Sequence, residues 1–325
     1  MNAQHSILHP SPTWTRRVLW ANLVGQVTIV VTGGAVRLTG SGLGCSTWPE
    51  CEPGQFTPIP HAATSIHPYI EFGNRTITGV LVVLAVAALW VVWRGPRRSR
   101  GMRALATVPL VGVLAQAVIG GLTVLVKLNP ALVGSHFLIS MVLVSASTAL
   151  ALRAGRPDTP PRWAVGGRTR ALAVALVPLA AAVLVLGTVV TGAGPHSGDA
   201  TRPSRYALDP VTVARVHSLS VWAYVAVLVT LALVLRRLRR RGGSDPALGG
   251  ALRRTGDLLV ISVVQGAIGY LQYLTGLPGA LVGLHMLGAS LMVVAQTAQL
   301  LALRPRTPAP SGAPDRPGAP AAAAA

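Results

Sequence analysis

Three histidines are notable because each lies inside a long apolar stretch of the sequence. His136, His217 and His285 each come five or six residues after the start of such a stretch. At the rise of an α-helix this is about 8–9 Å, so the three imidazoles are predicted to share one depth. A histidine in an apolar helix is costly unless it faces the bundle interior, where it makes an interhelical hydrogen bond or binds a ligand.

Ligation of a cofactor is the favoured interpretation of these histidines. His136 and His285 occupy matching positions of an internal repeat, and His217 lies on a neighbouring stretch at the same depth. Imidazole binds iron, copper and zinc, but zinc usually takes three or four ligands, more than the two histidines near each site. Small residues in the same stretches leave room for a flat ring held from both faces, which favours haem: Gly112, Gly120, Gly121, Gly134, Gly266, Gly269, Gly283 and Gly288.

A carboxylate, an amide and a guanidinium lie close together at one boundary of another apolar stretch. Glu71 and Arg75 are i,i+4 neighbours with Asn74 between them, so a structural ion pair is one interpretation. The favoured alternative is that Glu71 transfers protons beside an oxidisable substrate, with Arg75 free to hold a carboxylate such as a haem propionate. His67 precedes Glu71 by one helical turn and lies on roughly the same face, nearer the surface.

The two cysteines of the chain, Cys45 and Cys51, share one short glycine- and proline-rich loop. Outside the cytoplasm a disulfide is permitted, and it is favoured here over free thiols. Its role, structural or redox-active, stays open. The remaining histidines have no predicted ligand role, since they lie in polar or loop segments; for His196 a loop or propionate contact is expected: His5, His9, His61 and His196.

Composition identifies the elements that must position these side chains. The chain is 51% hydrophobic and only 11% charged, which predicts a membrane protein. Its net charge of +19 comes from arginines between apolar stretches rather than along one face, so membrane lipid, and no nucleic acid, is the predicted partner. Eight stretches are long enough to span a bilayer: 18–36, 70–93, 104–126, 131–152, 170–191, 211–235, 256–275 and 280–303.

The distribution of basic residues predicts the orientation of the chain in the cell membrane. Of the 28 Lys and Arg, 22 fall in connections on one side, so both termini are predicted to be cytoplasmic and the first helix uncleaved. Residues 1–17 then form a cytoplasmic amino-terminal segment. Residues 304–325, which are rich in Pro, Ala and Gly, form a disordered cytoplasmic tail.

The sequence also contains an internal repeat. The segment Ala131-Leu-Val-Gly-Ser-His136 matches Ala280-Leu-Val-Gly-Leu-His285, and Gln116-Ala-Val-Ile-Gly120 matches Gln265-Gly-Ala-Ile-Gly269, both at an offset of 149 residues. One shared register over two helices predicts a duplication. The predicted fold is therefore an all-α membrane protein with eight transmembrane helices in two tandem, pseudo-symmetric four-helix bundles, residues 18–152 and 170–303, joined by a cytoplasmic linker, 153–169.

Together these segments resemble the bacterial haem A synthase family over about residues 15–303. The resemblance rests on the helix-borne histidines and on three segments: Thr32-Gly-Gly-Ala-Val-Arg-Leu-Thr-Gly-Ser-Gly-Leu-Gly-Cys-Ser-Thr-Trp-Pro-Glu-Cys51, Glu71-Phe-Gly-Asn-Arg75 and Thr191-Gly-Ala-Gly-Pro-His-Ser-Gly-Asp199.

The resemblance implies an enzyme that oxidises a methyl group of haem O to the formyl group of haem A for terminal oxidase assembly, by successive hydroxylations with oxygen from water. It implies a haem b on His217 and His285, and a substrate haem in the amino-terminal half with Glu71 catalytic and His136 as an axial ligand. It also implies a Cys45–Cys51 disulfide. The implied partners are a haem O synthase and a quinone or other electron acceptor, with a homo-oligomer as one open alternative.

One residue departs from the family pattern. Many members have a histidine where this chain has Asn74, and an amide is a poor iron ligand. The substrate haem is then held either by His136 alone or with His67 as a second ligand, although two turns separate His67 from Asn74, about 10 Å along the axis.

Two other functions compete with the synthase. An electron-carrying membrane cytochrome b explains the histidines and the repeat but gives no role to Glu71, Arg75 or the cysteine loop. A small-molecule transporter explains the repeat, but its site is expected at the bilayer midplane, whereas the polar residues here cluster towards one face.

Overall fold

Eight α-helices account for most of the chain. A computed structural model describes residues 10–59, 65–95, 98–199, 201–242 and 245–306. His5, His9, His61 and the predicted disordered tail beyond residue 306 lie outside these residues. The helices are α1 Pro12–Leu38, α2 His67–Arg94, α3 Arg100–Leu125, α4 Pro130–Arg153, α5 Gly167–Ala193, α6 Pro210–Gly242, α7 Pro246–Leu274 and α8 Gly279–Ala302.

Each of the eight helices is long and apolar enough to cross a membrane. The predicted all-α, eight-span protein is therefore confirmed, and the chain is a multi-pass membrane protein. Polar caps begin several helices: Ser11 Oγ accepts the Trp14 N–H at 3.2 Å, and Asp245 Oδ1 accepts the Ala247 N–H at 2.9 Å. Such caps satisfy amides that have no partner within the helix.

The helices extend beyond the apolar stretches at their arginine-rich ends. The sequence predicts the seventh span from residue 256, whereas α7 begins at Pro246, and α6 continues to Gly242 rather than ending at 235. Arginine is a good helix former, so the backbone stays helical where the sequence is no longer apolar. Likewise α1 begins at Pro12, inside the segment 1–17 that was predicted to precede the first span.

Helices that are consecutive in each half of the chain pack together, and the first and last helix of each half also meet. Each of α1 to α4 packs on the next and α1 packs on α4, while α5 to α8 pack in the same order and α5 meets α8. Contacts between these two groups run through α1 and α4 on one side and α5 and α8 on the other. This pairing supports two four-helix bundles, and their pseudo-symmetry stays a prediction.

The loops of the two groups meet at the end of the bundle that carries both cysteines, called here the disulfide face. Arg37 at the end of α1 donates from Nε to the carbonyl of His196 and from Nη2 to that of Thr191, the latter at 2.7 Å. The Gly42 N–H donates to the Gly198 carbonyl at 2.9 Å. His196 Nε2 lies 2.9 Å from the carbonyl of Leu277, so this histidine is a loop contact.

At the opposite face, the connection between α4 and α5 is tied to the end of α8. The N–H groups of Arg162 and Ala164 donate to the carbonyls of Pro305 and Leu303, at 3.1 and 2.9 Å. Arg306 pairs with Asp158 at 3.2 Å. Burial raises the pKa of Asp158, but hydrogen bonds from Ser99 and the charge of Arg306 outweigh burial and hold the pKa below its usual value. These bonds hold the connection between α4 and α5 against the end of α8.

Candidate active site

One large cavity brings the singled-out residues of both helix groups together. Its volume is about 1650 Å³, and its lining includes all three helix-borne histidines. Typical ligand pockets measure about 300–1,000 Å³, so this space exceeds that of one ordinary ligand. The lining also contains the other candidate site residues of the sequence except His67, so that the full set is Glu71, Asn74, Arg75, His136, His217 and His285.

A repeated hydrogen bond fixes the helices that carry two of the histidines. Gln116 Nε2 donates to the His136 carbonyl at 2.8 Å, and Gln265 Nε2 donates to the His285 carbonyl at 2.7 Å. The two glutamines and the two histidines are related by the same offset of 149 residues that the sequence repeat predicts. In each case the bond ties α3 to α4, or α7 to α8, beside the imidazole.

Glycines lie against the edges of the imidazole rings. A Cβ on Gly269 would stand 3.1 Å from His285 Cε1, and one on Gly187 would stand 3.3 Å from His217 Cε1. In both cases Nδ1 is the next nearest ring atom, at 3.7 and 3.8 Å, so Nε2 is the nitrogen turned away from the glycine helix. Both rings therefore turn the edge with Cε1 and Nδ1 towards the glycine.

The ring edges that carry Nε2 suit a ligand that the protein alone does not supply. Nδ1 of each of the three imidazoles is buried without a well-formed hydrogen bond among the described residues, and in His217 and His285 it lies on the glycine side, where the backbone of Val183 and of Gln265 is close. Nε2 of these two rings is therefore the nitrogen left for a ligand in the cavity. The part of the chain that the structure describes holds no group of three or more His, Cys, Asp and Glu that would suit a bare metal ion. Paired imidazoles facing a roomy apolar cavity instead fit a flat metal-centred ring.

Glu71 is held by two donors at the rim of the cavity. Its side chain is buried, and Oε2 accepts the backbone N–H of Cys45 at 2.8 Å. Oε1 accepts from Arg75 Nη2 at 2.5 Å, so the i,i+4 ion pair considered from the sequence is present. Because Glu71 also lines the cavity, the ion pair does not remove the carboxylate from reach of a bound molecule.

Arg75 binds the disulfide loop as well as Glu71. Its Nη2 donates to the Thr47 carbonyl at 3.0 Å, and its Nη1 donates to the carbonyls of Glu50 and Pro49 at 3.2 and 3.4 Å. A guanidinium has five N–H donors in a fixed fork, so these bonds use most of its capacity. The structure thus gives Arg75 a role in holding the loop, and because Arg75 also lines the cavity, the propionate contact stays a prediction.

The predicted disulfide between Cys45 and Cys51 is present. Within the loop it closes, Trp48 lines the cavity and packs on α3, where a Cβ on Gly121 would stand 2.3 Å from the ring atom Cδ2. The sequence analysis missed both this contact and the bonds of Arg37. An aromatic residue between the two cysteines was the available signal for Trp48.

The two residues considered as a second ligand have different surroundings. Asn74 lines the cavity, and its Oδ1 accepts from the Thr32 hydroxyl at 2.8 Å. His67 lies outside the cavity lining, with Nδ1 2.8 Å from Ser41 Oγ. The structure therefore brings Asn74, and not His67, to the cavity that contains His136.

Replacing Gly121 with alanine is expected to release the disulfide loop, because the new Cβ would overlap the Trp48 ring. Overpacking of this kind costs about 1–3 kcal/mol, and each 1.4 kcal/mol is a factor of about ten. Amide hydrogen exchange in residues 45–51 should therefore rise by about tenfold. Gly101 on the same helix is the matched control, since the nearest atom to its Cβ, Ser99 Oγ, is 4.0 Å away. Equal exchange in both alanine variants would contradict the packing described.

Comparison with known proteins gives one family match over most of the chain. The sequence model of the COX15-CtaA family, described as a cytochrome oxidase assembly protein, matches residues 16–297. This range includes all eight helices except the first turn of α1 and the last turn of α8.

Curated relatives of the chain carry the name "Heme A synthase". The relative from Rhizorhabdus wittichii is 29% identical over 342 aligned positions, which cover 88% of this chain and 93% of the relative. That from Halalkalibacterium halodurans is 30% identical over 142 residues, 42% of this chain and 46% of the relative. That from Lysinibacillus sphaericus is 32% identical over 138 residues, 41% and 42%. In the latter two, the match spans less than half of the relative.

Proposed function

The chain belongs to the COX15-CtaA family of cytochrome oxidase assembly proteins, and from this premise we propose that it is a haem A synthase. The observation that carries the proposal is the cavity in which a buried carboxylate, Glu71, and three helix-borne histidines converge. A carboxylate serves proton transfer and the histidines serve haem binding, and oxidation of a haem substituent needs both.

The proposed reaction converts one methyl group of the substrate haem O into the formyl group of haem A. One water supplies the oxygen, so that R–CH₃ and H₂O give R–CHO, four protons and four electrons. Glu71 accepts protons released at the reacting carbon. The Cys45 N–H and the Arg75 guanidinium fix the position of its carboxylate, which keeps the proton acceptor oriented towards the cavity.

His217 and His285 are proposed to hold a haem b. The glycines beside both rings and the shared orientation of Nε2, away from the glycine helices, support this pairing. A haem b in this position supplies one-electron transfer. The Gln265 bond to the His285 carbonyl fixes the ligand helix, which sets the direction in which that imidazole points.

The substrate haem is proposed to bind the first four helices through His136 alone. Asn74 lines the same cavity, but its amide oxygen accepts a hydrogen bond from Thr32, and an amide is a weak iron ligand. His67 is bonded to Ser41 outside the cavity lining, which argues against it as a second ligand. One face of the substrate iron is then left without a protein ligand.

A pair of alanine variants tests this arrangement. His136→Ala should abolish conversion of haem O, because the sole axial ligand is lost, whereas Asn74→Ala should lower the rate by less than about tenfold, the scale of one hydrogen bond. The assay follows extracted haems by mass after adding haem O to membranes that contain each variant. Equal and complete loss in both would contradict single-ligand binding.

An electron-carrying cytochrome b is the weaker alternative. It accounts for the histidines, but it gives no role to the buried Glu71 or to the loop that Arg75 and Cys45 hold against it. Conversion of haem O by the purified protein separates the two functions, since an electron carrier leaves the ring methyl unchanged.

The proposal extends to the surroundings of the enzyme. Two pseudo-symmetric bundles, 18–152 for the substrate and 170–303 for haem b, are joined by residues 153–169. Both termini are cytoplasmic, because the basic connections lie on that side. A haem O synthase supplies the substrate and the terminal oxidase receives the product. A homo-oligomer remains one open alternative.

A further inference from the structure

Three polar side chains meet between α6 and α7, on the exposed side of two helices that can cross a membrane. The hydroxyl of Tyr270 accepts the indole Nε1–H of Trp222 at 3.0 Å, and it lies 3.0 Å from Ser218 Oγ. Trp222 is 59% exposed and Tyr270 49%, although both belong to membrane-spanning helices. The group of Ser218, Trp222 and Tyr270 is called the lateral triad below.

The lateral triad stands where the cavity opens sideways. All three residues line the same cavity as His217 and His285, together with Leu219 and Tyr273 on the same two helices. Leu219 is 68% exposed and Tyr273 51%. Residues that line a cavity and are also exposed lie at its opening, so the cavity opens between α6 and α7, which are both apolar enough to lie in a bilayer.

The lateral triad is close to the proposed haem b ligands along the chain. Ser218 directly follows His217, and Tyr270 directly follows Gly269, the glycine that packs against the His285 ring. Polar groups inside a membrane are costly and mark functional sites by default. A molecule bound at the triad would therefore lie beside the histidine pair.

The repeat does not require this arrangement. At the offset of 149 residues Tyr270 corresponds to Gly121, where the first group of helices has no side chain and is covered by the Trp48 ring. The hydroxyl of Tyr270 is thus particular to the last four helices, which argues for a task that only they perform.

We propose that the lateral opening binds a lipid-soluble quinone, with the Tyr270 hydroxyl donating a hydrogen bond to a quinone carbonyl. The proposal rests on the proposed function, whose reaction releases four electrons and four protons for each formyl group formed. Two quinones take up four electrons and four protons to give two quinols, so the reaction balances. A quinone is apolar, resides in the bilayer and carries carbonyl acceptors, and these are the properties that the triad recognises.

The hydrogen bonds of the triad allow this exchange without rearrangement of the helices. The Tyr270 oxygen accepts from Trp222, so its own proton is available either to Ser218 or to a bound carbonyl. When a carbonyl binds, the Tyr270 hydroxyl rotates towards it and Ser218 donates to the Tyr270 oxygen in turn. Every polar atom of the triad then keeps a partner.

The test is a titration of the purified full-length chain in detergent with decylubiquinone, followed by tryptophan emission. A quinone beside Trp222 should quench part of the emission saturably, and Trp222→Phe should remove that part. Tyr270→Phe should raise the dissociation constant by about tenfold, the scale of one hydrogen bond. Tyr69→Phe is the control, because Tyr69 is also an exposed tyrosine on a membrane-spanning helix but lies outside the cavity lining, and this variant should bind as the unaltered chain does.

A non-saturable quench, or equal affinity in the Tyr270→Phe and Tyr69→Phe variants, would overturn the proposal and leave an interfacial aromatic cluster. The titration needs no haem O, so it separates this site from the proposed function. Saturable, Tyr270-dependent binding without any haem O conversion would retain the quinone site and reject the synthase. Conversion of haem O with an artificial electron acceptor, but without quinone binding, would support the synthase and reject the quinone site.

Discussion

Replacement of Glu71 by glutamine is expected to lower the rate of haem O conversion by at least about 100-fold, the lower range for loss of a positioned acid–base group. Glutamine has the same shape, and its side-chain carbonyl still accepts the Cys45 N–H, but it does not take up a proton. Bound haem should stay at the level of the unaltered protein. The measurement is the initial rate of product formation by mass, with haem content taken from the absorption of the same sample.

Glu50→Gln is the control for this variant. Glu50 lies in the same loop and its carboxylate accepts the Gly54 N–H at 2.8 Å, so a change there tests the loop without touching the cavity. Its rate should stay within about twofold, as for an exposed substitution. If Glu71→Gln retained most of its rate while Arg75→Gln lost it, the ion pair would be structural and Glu71 would not be the proton acceptor.

His217→Ala and His285→Ala are each expected to yield protein without haem b. Each removes one of the two imidazoles proposed to hold haem b, in a cavity whose lining is otherwise mainly apolar, so the remaining imidazole would hold the ring too weakly for it to stay bound during purification. The expected result is a fall in extracted haem b of at least about tenfold, the change that accompanies the loss of 1.4 kcal/mol of binding. The measurement is the haem b extracted per mole of purified protein.

Two further measurements separate ligation from folding in these variants. His196→Ala is the control, because His196 contacts the Leu277 carbonyl in a loop and should leave haem b in place. Free imidazole added during purification should restore part of the haem b to His217→Ala, since it fills the vacated ligand position. Retention of full haem b by both alanine variants would contradict the assignment.

The sequence predicts the helices well because crossing a membrane requires long apolar stretches, and these are visible without a structure. The predicted bounds are wrong where a helix extends beyond the apolar stretch. The start of α7 at Pro246 falls ten residues before the predicted span, in a segment where arginine and leucine favour a helix but hydropathy is low. Hydropathy shows which residues can lie in the bilayer, whereas the ends of a helix are set by local caps such as Asp245.

The histidines of the site were accessible from the sequence for a related reason. Their depth follows from counting residues along a helix of known rise, and the cavity lining includes all three. The repeat predicts that His136 and His285 have matching positions, and a matching glutamine bonds the backbone carbonyl of each. In a regular helix, the number of residues between two side chains fixes their relative positions, so these positions can be predicted from the sequence.

The loop contacts were not accessible in that way. Arg75 binds the carbonyls of Thr47, Pro49 and Glu50 because the disulfide loop folds back over α2, which the sequence does not show; its contact with a haem propionate stays a prediction. His67 was placed by helical periodicity on the face of Glu71, yet its ring meets Ser41 of the same returning segment. Periodicity gives the direction of a side chain but not which loop lies over it.

The most direct test of the central claim is the identity of the haems that the protein carries and makes. The protein is purified from membranes supplied with haem O, and its haems are extracted and identified by mass and absorption. A haem A synthase predicts haem b together with hydroxylated haem O or haem A. Haem b alone, with the added haem O unchanged, would contradict the account and favour an electron carrier.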